Sequence, residues 1–277
     1  MIGGWASLAT GTAVLLTFLQ GGPTMEKPTS EAPQGQSGGP RITVIYDNTA
    51  GESRFRADWG FSALIEYRGH TLLMDGGTDP AILRRNMDSL GIAASRIEAV
   101  VLTHAHGDHA GGLSAVEDGG ARRRLYVLAA FPREARERLG RDFALVDAAP
   151  GQELIPGVFT TGEMVDPAVG VPEQSLVIRT DSGLVIVTGC AHQGIVSVVR
   201  RATETFGGPV RLVMGGFHLL EKSPAEVGRI TSDFRAMGVR RVGATHCTGD
   251  AAIAAFREAY GADYVQLGAG RVLDLGR

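Results

Sequence analysis

From residue 41 onward, apolar and polar residues follow a pattern that predicts short strands alternating with helices. Short apolar runs rich in β-branched residues are typical of buried strands, whereas apolar residues three or four apart, such as Leu83, Met87 and Leu90, are typical of a helix. In the first half of the chain, strands are predicted at 42–46, 61–67, 71–74 and 97–102, with a helix at 80–90. The domain therefore opens with a strand and a hairpin, followed by a helix and a further buried strand.

The second half of the chain repeats this alternation. Strands are predicted at 176–180, 184–187, 211–214 and 239–244, and helices at 195–205 and 224–237. Because both halves contribute strands and helices in a comparable order, the pattern favours two sheets packed face to face with helices outside. The sequence thus predicts an α/β sandwich for residues 41–277.

A different pattern precedes this domain. Residues 5–19 form an apolar run, and residues 20–40 are rich in Gly, Pro, Ser, Glu and Gln without periodicity, which is typical of a flexible linker. The run is shorter than the roughly 20 residues that span a bilayer, no Lys or Arg precedes it, and Met25 is an alternative start. Two interpretations of residues 1–40 stay open: a signal or membrane tether that exports or anchors the domain, or a segment of a cytoplasmic protein.

Composition places the chain among ordinary globular proteins. Apolar residues make up 44% of the 277 residues and charged residues 21%, which excludes disorder for most of the chain. The formal net charge is −3 and no basic stripe is present, so we expect a small-molecule substrate and no nucleic-acid partner. Two cysteines in a chain of this length are no disulfide framework. The histidines are more informative, because only His70 of the seven lies outside the segments considered next.

The candidate chemistry is concentrated in segment 102–112, LTHAHGDHAGG, directly after a predicted buried strand. This segment places four candidate metal ligands in one short loop, namely His104, His106, Asp108 and His109. Imidazole nitrogens and carboxylate oxygens suit zinc and other first-row divalent ions, and one ion cannot readily use all four ligands. The spacing therefore predicts two neighbouring ions, with His104 and His106 on one and Asp108 and His109 on the other. The alternative, a polar loop of surface histidines, does not explain this clustering.

The same segment resembles the His-x-His-x-Asp-His signature of the metallo-β-lactamase superfamily, and the resemblance extends from about residue 41 to the C-terminus. The resemblance implies an αββα sandwich of two mixed sheets with outer helices. It also implies two metal ions and hydrolysis by a metal-bound hydroxide, with Asp108 as the catalytic ligand that orients the hydroxide. Zinc is the expected metal, and manganese or iron is the alternative.

The remaining ligands resemble the family pattern less closely. His246, after a predicted strand, matches the family's final histidine, which implies a ligand. Many members carry a bridging Asp at about the place of Cys190, so either the Cys190 thiolate or His192 is a ligand here. We favour His192, because an imidazole matches the other ligands, and place Cys190 beside the site. The family's usual third histidine is replaced by Glu173 and Gln174, so His192 would supply the missing ligand and leave the bridging position to water.

Three further residues are considered as supporting groups. His218 follows a strand and two glycines, and we expect it to contact substrate or to support the ligands, with direct ligation as the less favoured alternative. Asp75 resembles the acidic residue that orients ligands at the end of an early strand, because ligating imidazoles usually donate their other N–H to such a group. His70 precedes a strand in a turn and is expected to be exposed to solvent.

Several short motifs make the resemblance more specific. They are YDN at 46–48, GFS at 60–62, MDGG at 74–77, TGCAH at 188–192, GGFHL at 215–219 and THCTG at 245–249. Together they are similar to the branch named for dihydropterin-methyl-ribofuranosylaminobenzene-phosphate synthase. This similarity implies a hydrolase of esters, phosphoesters or lactones, with a pterin-related or phosphoribosyl-related substrate as one expectation. A di-iron redox protein and a non-catalytic metal-binding module of the same fold are the alternatives.

Overall fold

The structure is a computed structural model, and it describes Met1, residues 38–117, Gly120 and residues 122–276. The apolar run at 5–19 and nearly all of the linker at 20–40 lie outside the described residues. The proposed boundary at residue 40, and with it the signal or tether, therefore stays a prediction. Within the described part of the chain, no helix combines the length and apolar character needed to cross a membrane.

Thirteen strands and six α-helices are present in the described residues. The strands are β1 (Arg41–Tyr46), β2 (Ser62–Tyr67), β3 (His70–Met74), β4 (Ala99–Val101), β5 (Arg124–Val127), β6 (Ala144–Asp147), β7 (Glu153–Ile155), β8 (Val158–Thr160), β9 (Leu176–Thr180), β10 (Gly183–Thr188), β11 (Val210–Gly216), β12 (Arg241–Thr245) and β13 (Val272–Asp274). The helices are α1 (Pro80–Ser89), α2 (Gly107–Ala110), α3 (Arg133–Asp142), α4 (Ile195–Phe206), α5 (Pro224–Ala236) and α6 (Asp250–Tyr260). All the predicted elements are present, with ends displaced by two residues at most.

The strands form two mixed sheets. The order in the first sheet is β13-β1-β2-β3-β4-β5-β6, and the order in the second is β12-β11-β10-β9-β8-β7. Strands β3, β4, β5 and β6 are parallel to one another, and so are β10, β11 and β12. All other pairs, including β2 with β3 and β9 with β10, are antiparallel. The predicted αββα sandwich of two mixed sheets is confirmed.

Strand β10 shows why the predicted strands are continuously apolar. Val185 and Val187 lie in the core between the two sheets. Leu184 and Ile186, which point the other way, lie in a second core that includes residues of α4, α5 and α6. Because both faces of the strand are covered, every position is buried and the run is apolar rather than alternating. A third core lies between the first sheet and the helices α1 and α3.

The topology gathers the ends of several strands at one edge. Strands β3 and β4 are parallel, and so are β10, β11 and β12, so the loops that follow each set leave the same side of their sheet. Gln174, just before β9, connects the two sides: its backbone N–H donates to the carbonyl of Thr103 at 3.0 Å, and its Nε2 donates to the carbonyl of Leu102 at 2.9 Å. The loop after β4 is therefore fixed against the second sheet.

The long connection between β1 and β2 is held by one buried amide. Asn86 of α1 donates from Nδ2 to the carbonyls of Ile45 at 2.9 Å and Arg56 at 2.8 Å, and its Oδ1 accepts from the Arg56 N–H at 2.9 Å. The Asn86 side chain is fully buried. This helix therefore fixes the path of a segment that carries Asn48 and Trp59, two residues of the site described below.

We predict that Asn86→Ala lowers the free energy of unfolding by about 3 kcal/mol, because it removes three hydrogen bonds and leaves the buried Ile45 carbonyl without this partner. Chemical denaturation of the purified protein measures this change. Arg84→Ala, at an exposed position of the same helix, serves as the control and should change stability by less than about 0.5 kcal/mol. Equal losses in the two variants would contradict the anchoring role of Asn86.

Candidate metal centre

Side chains with metal-binding atoms converge where the loops after β4, β10 and β12 meet. One group holds Asp108, His109, Cys190 and His246, a second holds His104, Cys190 and His192, and a third holds His104, His106 and Asp108. Within each group the ligand atoms lie within 4.8 Å of one another. The structure thus brings together all six residues predicted as ligands, and it places Cys190 among them.

The backbone at these strand ends adopts strained conformations. Non-glycine residues with positive φ are Asp75 (57°), Ala191 (61°), His218 (53°) and His246 (47°) at the site, and only Arg68 elsewhere in the described chain. Such conformations cost of the order of 1–3 kcal/mol each and persist only where the surroundings hold them. The strain is therefore concentrated at the strand ends that border the cluster.

Four imidazoles are oriented by hydrogen bonds at Nδ1. The pairs are His104 with Thr103 Oγ1 at 3.0 Å, His109 with Asp75 Oδ2 at 2.7 Å, His192 with Glu173 Oε2 at 2.7 Å and His246 with Asn48 Oδ1 at 2.9 Å. Each partner oxygen accepts, since the Thr103 hydroxyl donates its own proton to Asp75. Nδ1 is consequently the protonated nitrogen, and Nε2 keeps a lone pair for a metal ion.

Asp75 lies at the centre of the hydrogen bonds behind His109. Its fully buried carboxylate accepts the Thr103 N–H and the Thr103 hydroxyl, each at 2.8 Å, in addition to His109. Burial raises the pKa of Asp75 to about 7, against the opposing charge of His104 and the hydrogen bonds from Thr103. Asp75 occupies the position expected of a residue that orients a ligand.

Glu173 orients the loop after β10 by accepting hydrogen bonds, as Asp75 orients His109. Its fully buried carboxylate accepts the N–H groups of Cys190 and Ala191 at 2.8 Å and both the N–H and Nδ1 of His192, at 2.9 and 2.7 Å. Burial alone would raise the Glu173 pKa, but the charge of His104 and the hydrogen bonds from His192 hold that pKa below its usual range. Glu173 was expected only as the substitute for a histidine, although a lone acidic residue before a buried strand was a signal of this role.

The electrostatics favour neutral imidazoles at His104, His106 and His109. At His246 burial lowers the pKa, but the hydrogen bond with Asp108 outweighs it and raises that pKa above its usual value. Burial, with the neighbouring His109, lowers the pKa of His104 to about 3, and burial with His246 lowers the pKa of His109 to about 4. Neutral imidazole is the form that binds metal. The Nε2 atom of His104 is buried and has no hydrogen-bond partner, which is unfavourable unless another group satisfies it. The unpartnered nitrogen and the nitrogen, oxygen and sulfur donors around it fit a divalent metal ion.

Asp108 contributes an ionised carboxylate to the same cluster. Its Oδ2 lies 3.5 Å from His109 Nε2 and 3.4 Å from His246 Nε2. Burial would raise the Asp108 pKa, but the hydrogen bond with His246 and the charge of His109 hold it well below its usual range. The carboxylate is therefore a hydrogen-bond acceptor and potential ligand at neutral pH.

Both alternatives that the sequence left open after β10 lie in the cluster. The Cys190 thiol is buried, and its sulfur lies 3.3 Å from His109 Nε2 and 3.5 Å from His246 Nε2. His192 lies beside His104 and His106, with ring centroids 4.7 and 5.0 Å apart. The two residues thus occupy different sides of the same site.

Of the other singled-out histidines, His218 borders the centre, where it groups with Cys190 and Cys247, and His70 lies away from it. His218 is exposed, and its ring centroid is 4.4 Å from that of His192, so it lies on the open side of the cluster, where a substrate would approach. His70 begins β3, at the end of the strand opposite the site, and its Nδ1 lies 2.8 Å from Glu98 Oε2. Its side chain is 40% exposed, which agrees with the predicted surface position.

Trp59 is a site residue that sequence reasoning missed. Its Nε1 donates to Asp108 Oδ2 at 3.0 Å, and its ring centroid lies 5.0 Å from that of His246. The residue is 47% exposed, which leaves a wide aromatic surface at the entrance. A tryptophan in a polar loop between two strands was the available signal.

Comparisons with known proteins agree with this architecture. Residues 60–198 match the family model described as the metallo-beta-lactamase superfamily. The chain is 29% identical to the 7,8-dihydropterin-6-methyl-4-(beta-D-ribofuranosyl)-aminobenzene-5'-phosphate synthase of Methanocaldococcus jannaschii, over 84% of this chain and 96% of that protein. The predicted resemblance to that branch is thereby confirmed.

Solved structures show the same fold. The structure of Tm1679, a metal-dependent hydrolase of the beta-lactamase superfamily, aligns with 85% of this chain and 99% of its own, with a TM-score of 0.72 and 27% identity. The metallo-beta-lactamase fold protein YhfI from Bacillus subtilis aligns with 85% of this chain and 98% of its own, with a TM-score of 0.64 and 18% identity. On its fold, its ligand cluster and the match over residues 60–198, the chain belongs to the metallo-beta-lactamase superfamily.

Proposed function

We propose that this protein is a hydrolase that binds two divalent metal ions, with zinc as the preferred metal, and cleaves an ester, phosphoester or lactone bond in a small molecule. The observation that carries the proposal is the orientation of the imidazoles. Four of them are fixed at Nδ1 by neighbouring oxygens, and the buried Nε2 of His104 has no hydrogen-bond partner among the described residues. This arrangement supports a site arranged in advance for cations.

The ligand groups divide between the two proposed ions. His104, His106 and His192 would hold one ion, and Asp108, His109 and His246 would hold the other. Bound in this way, the pair would lower the pKa of water towards neutrality and polarise the oxygen of the scissile bond.

The protein's own groups would orient the reactants. Asp108, ionised at neutral pH, can accept a hydrogen bond from the attacking water, and the indole N–H of Trp59 fixes that carboxylate from the entrance. His218, on the open side beside His192, can donate a hydrogen bond to an oxygen of the substrate. A water held by an ionised carboxylate has its lone pair directed at the substrate, which lowers the entropic cost of reaching a reactive geometry.

The aromatic surface at the entrance of the site supports a particular class of substrate. The name of the Methanocaldococcus relative combines a dihydropterin, an aminobenzene ring and a ribofuranosyl phosphate. The exposed indole of Trp59, next to Asp108 and His246, could stack on a flat ring of this kind. We therefore favour a substrate with an aromatic or heteroaromatic group next to the bond that is cleaved.

We predict that hydrolysis depends on the bound metal. Chelation should abolish turnover of a panel of aryl phosphoesters, aryl esters and lactones, and zinc or manganese should restore it, because the bound ions would supply the activated water. Initial rates and metal content, measured on the same samples, test this. If a metal-free sample cleaves these substrates as fast as a loaded one, the proposal is wrong.

The same samples separate the proposal from its alternatives. A loaded protein that turns over nothing in the panel, and that contains iron with visible absorption changing on reduction, would favour the redox alternative. A loaded protein that turns over nothing and is colourless would favour a binding module.

We predict that Asp108→Asn lowers the rate of hydrolysis by about 10²–10⁴-fold, the range typical of a lost proton-handling group. The amide keeps the size of the side chain but removes its charge. Asp88→Asn, at an exposed position of α1, makes the same chemical change away from the site and should leave the rate unchanged. Steady-state kinetics with saturating metal measure both, and equal rates in the two variants would remove Asp108 from the mechanism.

We predict that Glu173→Gln weakens binding of one metal ion by about 10–100-fold, as expected when a residue that orients a ligating imidazole is changed. The ion beside His104 and His192 should be affected more than the other ion, because Glu173 contacts His192 directly and lies 3.8 Å from His104 Nδ1. A metal titration resolves the two binding steps, and Glu163→Gln at an exposed position is the matched control. Equal weakening of both steps would indicate a general loss of structure instead.

A further inference from the structure

We infer that Cys190 supplies a thiolate shared by the two metal ions of the centre. The inference rests on the proposed function, since it assigns a ligand within the same dinuclear site. It differs from the expectation drawn from the sequence, in which His192 completes the site, Cys190 lies beside it and water alone bridges the ions.

The position of the sulfur is the first observation. Cys190 Sγ belongs to the group formed by Asp108, His109 and His246, and also to the group formed by His104 and His192. The first group holds the ligands proposed for one ion, and the second holds two of the three ligands proposed for the other. Cys190 belongs to both groups, and Asp108, which also groups with His104 and His106, is the other residue placed between the two ions. A donor atom that lies within 4.8 Å of ligand atoms from both sets is placed to contact both ions.

The surroundings of the sulfur are the second observation. A cysteine that only fills space packs against carbon atoms, whereas Cys190 Sγ lies 3.3 Å from His109 Nε2 and 3.5 Å from His246 Nε2. Asp75 and Asn48 accept hydrogen bonds at the opposite nitrogens of these rings, so the neutral imidazoles direct the lone pairs of Nε2 towards the sulfur. One thiol proton cannot satisfy two imidazole acceptors and the unpartnered Nε2 of His104 as well. Two cations would satisfy these atoms, with His109 and His246 on one ion and His104 on the other.

The loop that carries Cys190 is also fixed. The carboxylate of Glu173 accepts the N–H groups of Cys190, Ala191 and His192 in succession, and Ala191 has a φ of 61°. The thiol is therefore held in place by its own backbone, in the way that a ligand is held.

Cys247, the other buried thiol, provides the contrast within the same chain. Its sulfur lies 3.7 Å from the carbonyl oxygen of Cys190 and groups only with Cys190 and His218. It shares no group with His104, His106, Asp108, His109 or His246. The geometry thus distinguishes one cysteine at the centre from a neighbour of similar burial outside it.

Binding of this kind has a simple chemical balance. The S–H bond of Cys190 breaks, its proton passes to solvent, and the sulfur keeps the electron pair that it donates to the metal ions. No oxidant or reductant takes part. Because thiolate is a soft ligand, it favours zinc over manganese or magnesium, whereas a carboxylate at the same position would favour the harder ions.

The experiment is cobalt(II) substitution of the full-length protein, with cobalt content measured on each sample. A thiolate bound to cobalt gives a near-ultraviolet charge-transfer absorption, which nitrogen and oxygen ligands do not give. We expect this band in the wild-type protein and in Cys247→Ala, and we expect its loss in Cys190→Ala. Cys190→Asp should bind two cobalt ions without the band, and its preference for zinc over manganese should fall relative to wild type.

Each outcome has a separate meaning. If wild-type protein binds two cobalt ions without the band, Cys190 is not a ligand although the dinuclear site stands. If the protein binds no cobalt, the proposed function itself fails. Loss of the band in Cys247→Ala, with the band kept in Cys190→Ala, would identify Cys247 and not Cys190 as the thiolate ligand. X-ray absorption of the zinc-loaded wild type, which must show a sulfur ligand, tests the inference even if a variant does not fold.

Discussion

Two consecutive residues just upstream of β9, Glu173 and Gln174, hold the metal centre together, because the centre is built from the ends of two different sheets. Gln174 fixes the loop after β4 through hydrogen bonds to Leu102 and Thr103. Glu173, its neighbour, fixes the loop after β10 by accepting hydrogen bonds from Cys190, Ala191 and His192. Each sheet can keep its own strands in register, but only contacts such as these fix one set of loops against the other. The distances among the ligand atoms depend on this short segment.

Much of the fold could be predicted from the sequence, and the reason is burial. Strands such as β10 are covered on both faces, so their positions read as uninterrupted apolar runs. The region between the motif and β9 could not be predicted in the same way. There β7 and β8 have three residues each, and β6 has no fully buried position, so no periodic pattern develops. Helix α6 and strand β13 were also missed, although α6 is long enough to show helical spacing.

Which parts of the candidate site could be predicted depends on distance along the chain. The residues of segment 104–109 could be found because they are adjacent in the chain and chemically distinctive. The groups that orient them could not, because these partners are distant in sequence: Asn48 and His246 are 198 residues apart, and Trp59 and Asp108 are 49 apart. Glu173 shows the difficulty most clearly. Its position suggested only that a histidine was missing, whereas its role follows from four hydrogen bonds that the sequence does not display.

The buried carboxylates and imidazoles of the metal centre have an electrostatic consequence for the fold. At neutral pH His104 and His109, with pKa values lowered by burial to about 3 and about 4, carry no charge. Asp108 and Glu173, with pKa values held below the usual range, each carry one negative charge. Burying net negative charge beside neutral imidazoles is unfavourable unless a positive charge offsets it. The strained backbone at Ala191 and His246 adds to this cost, so cations bound at the centre would stabilise the fold as well as supply its chemistry.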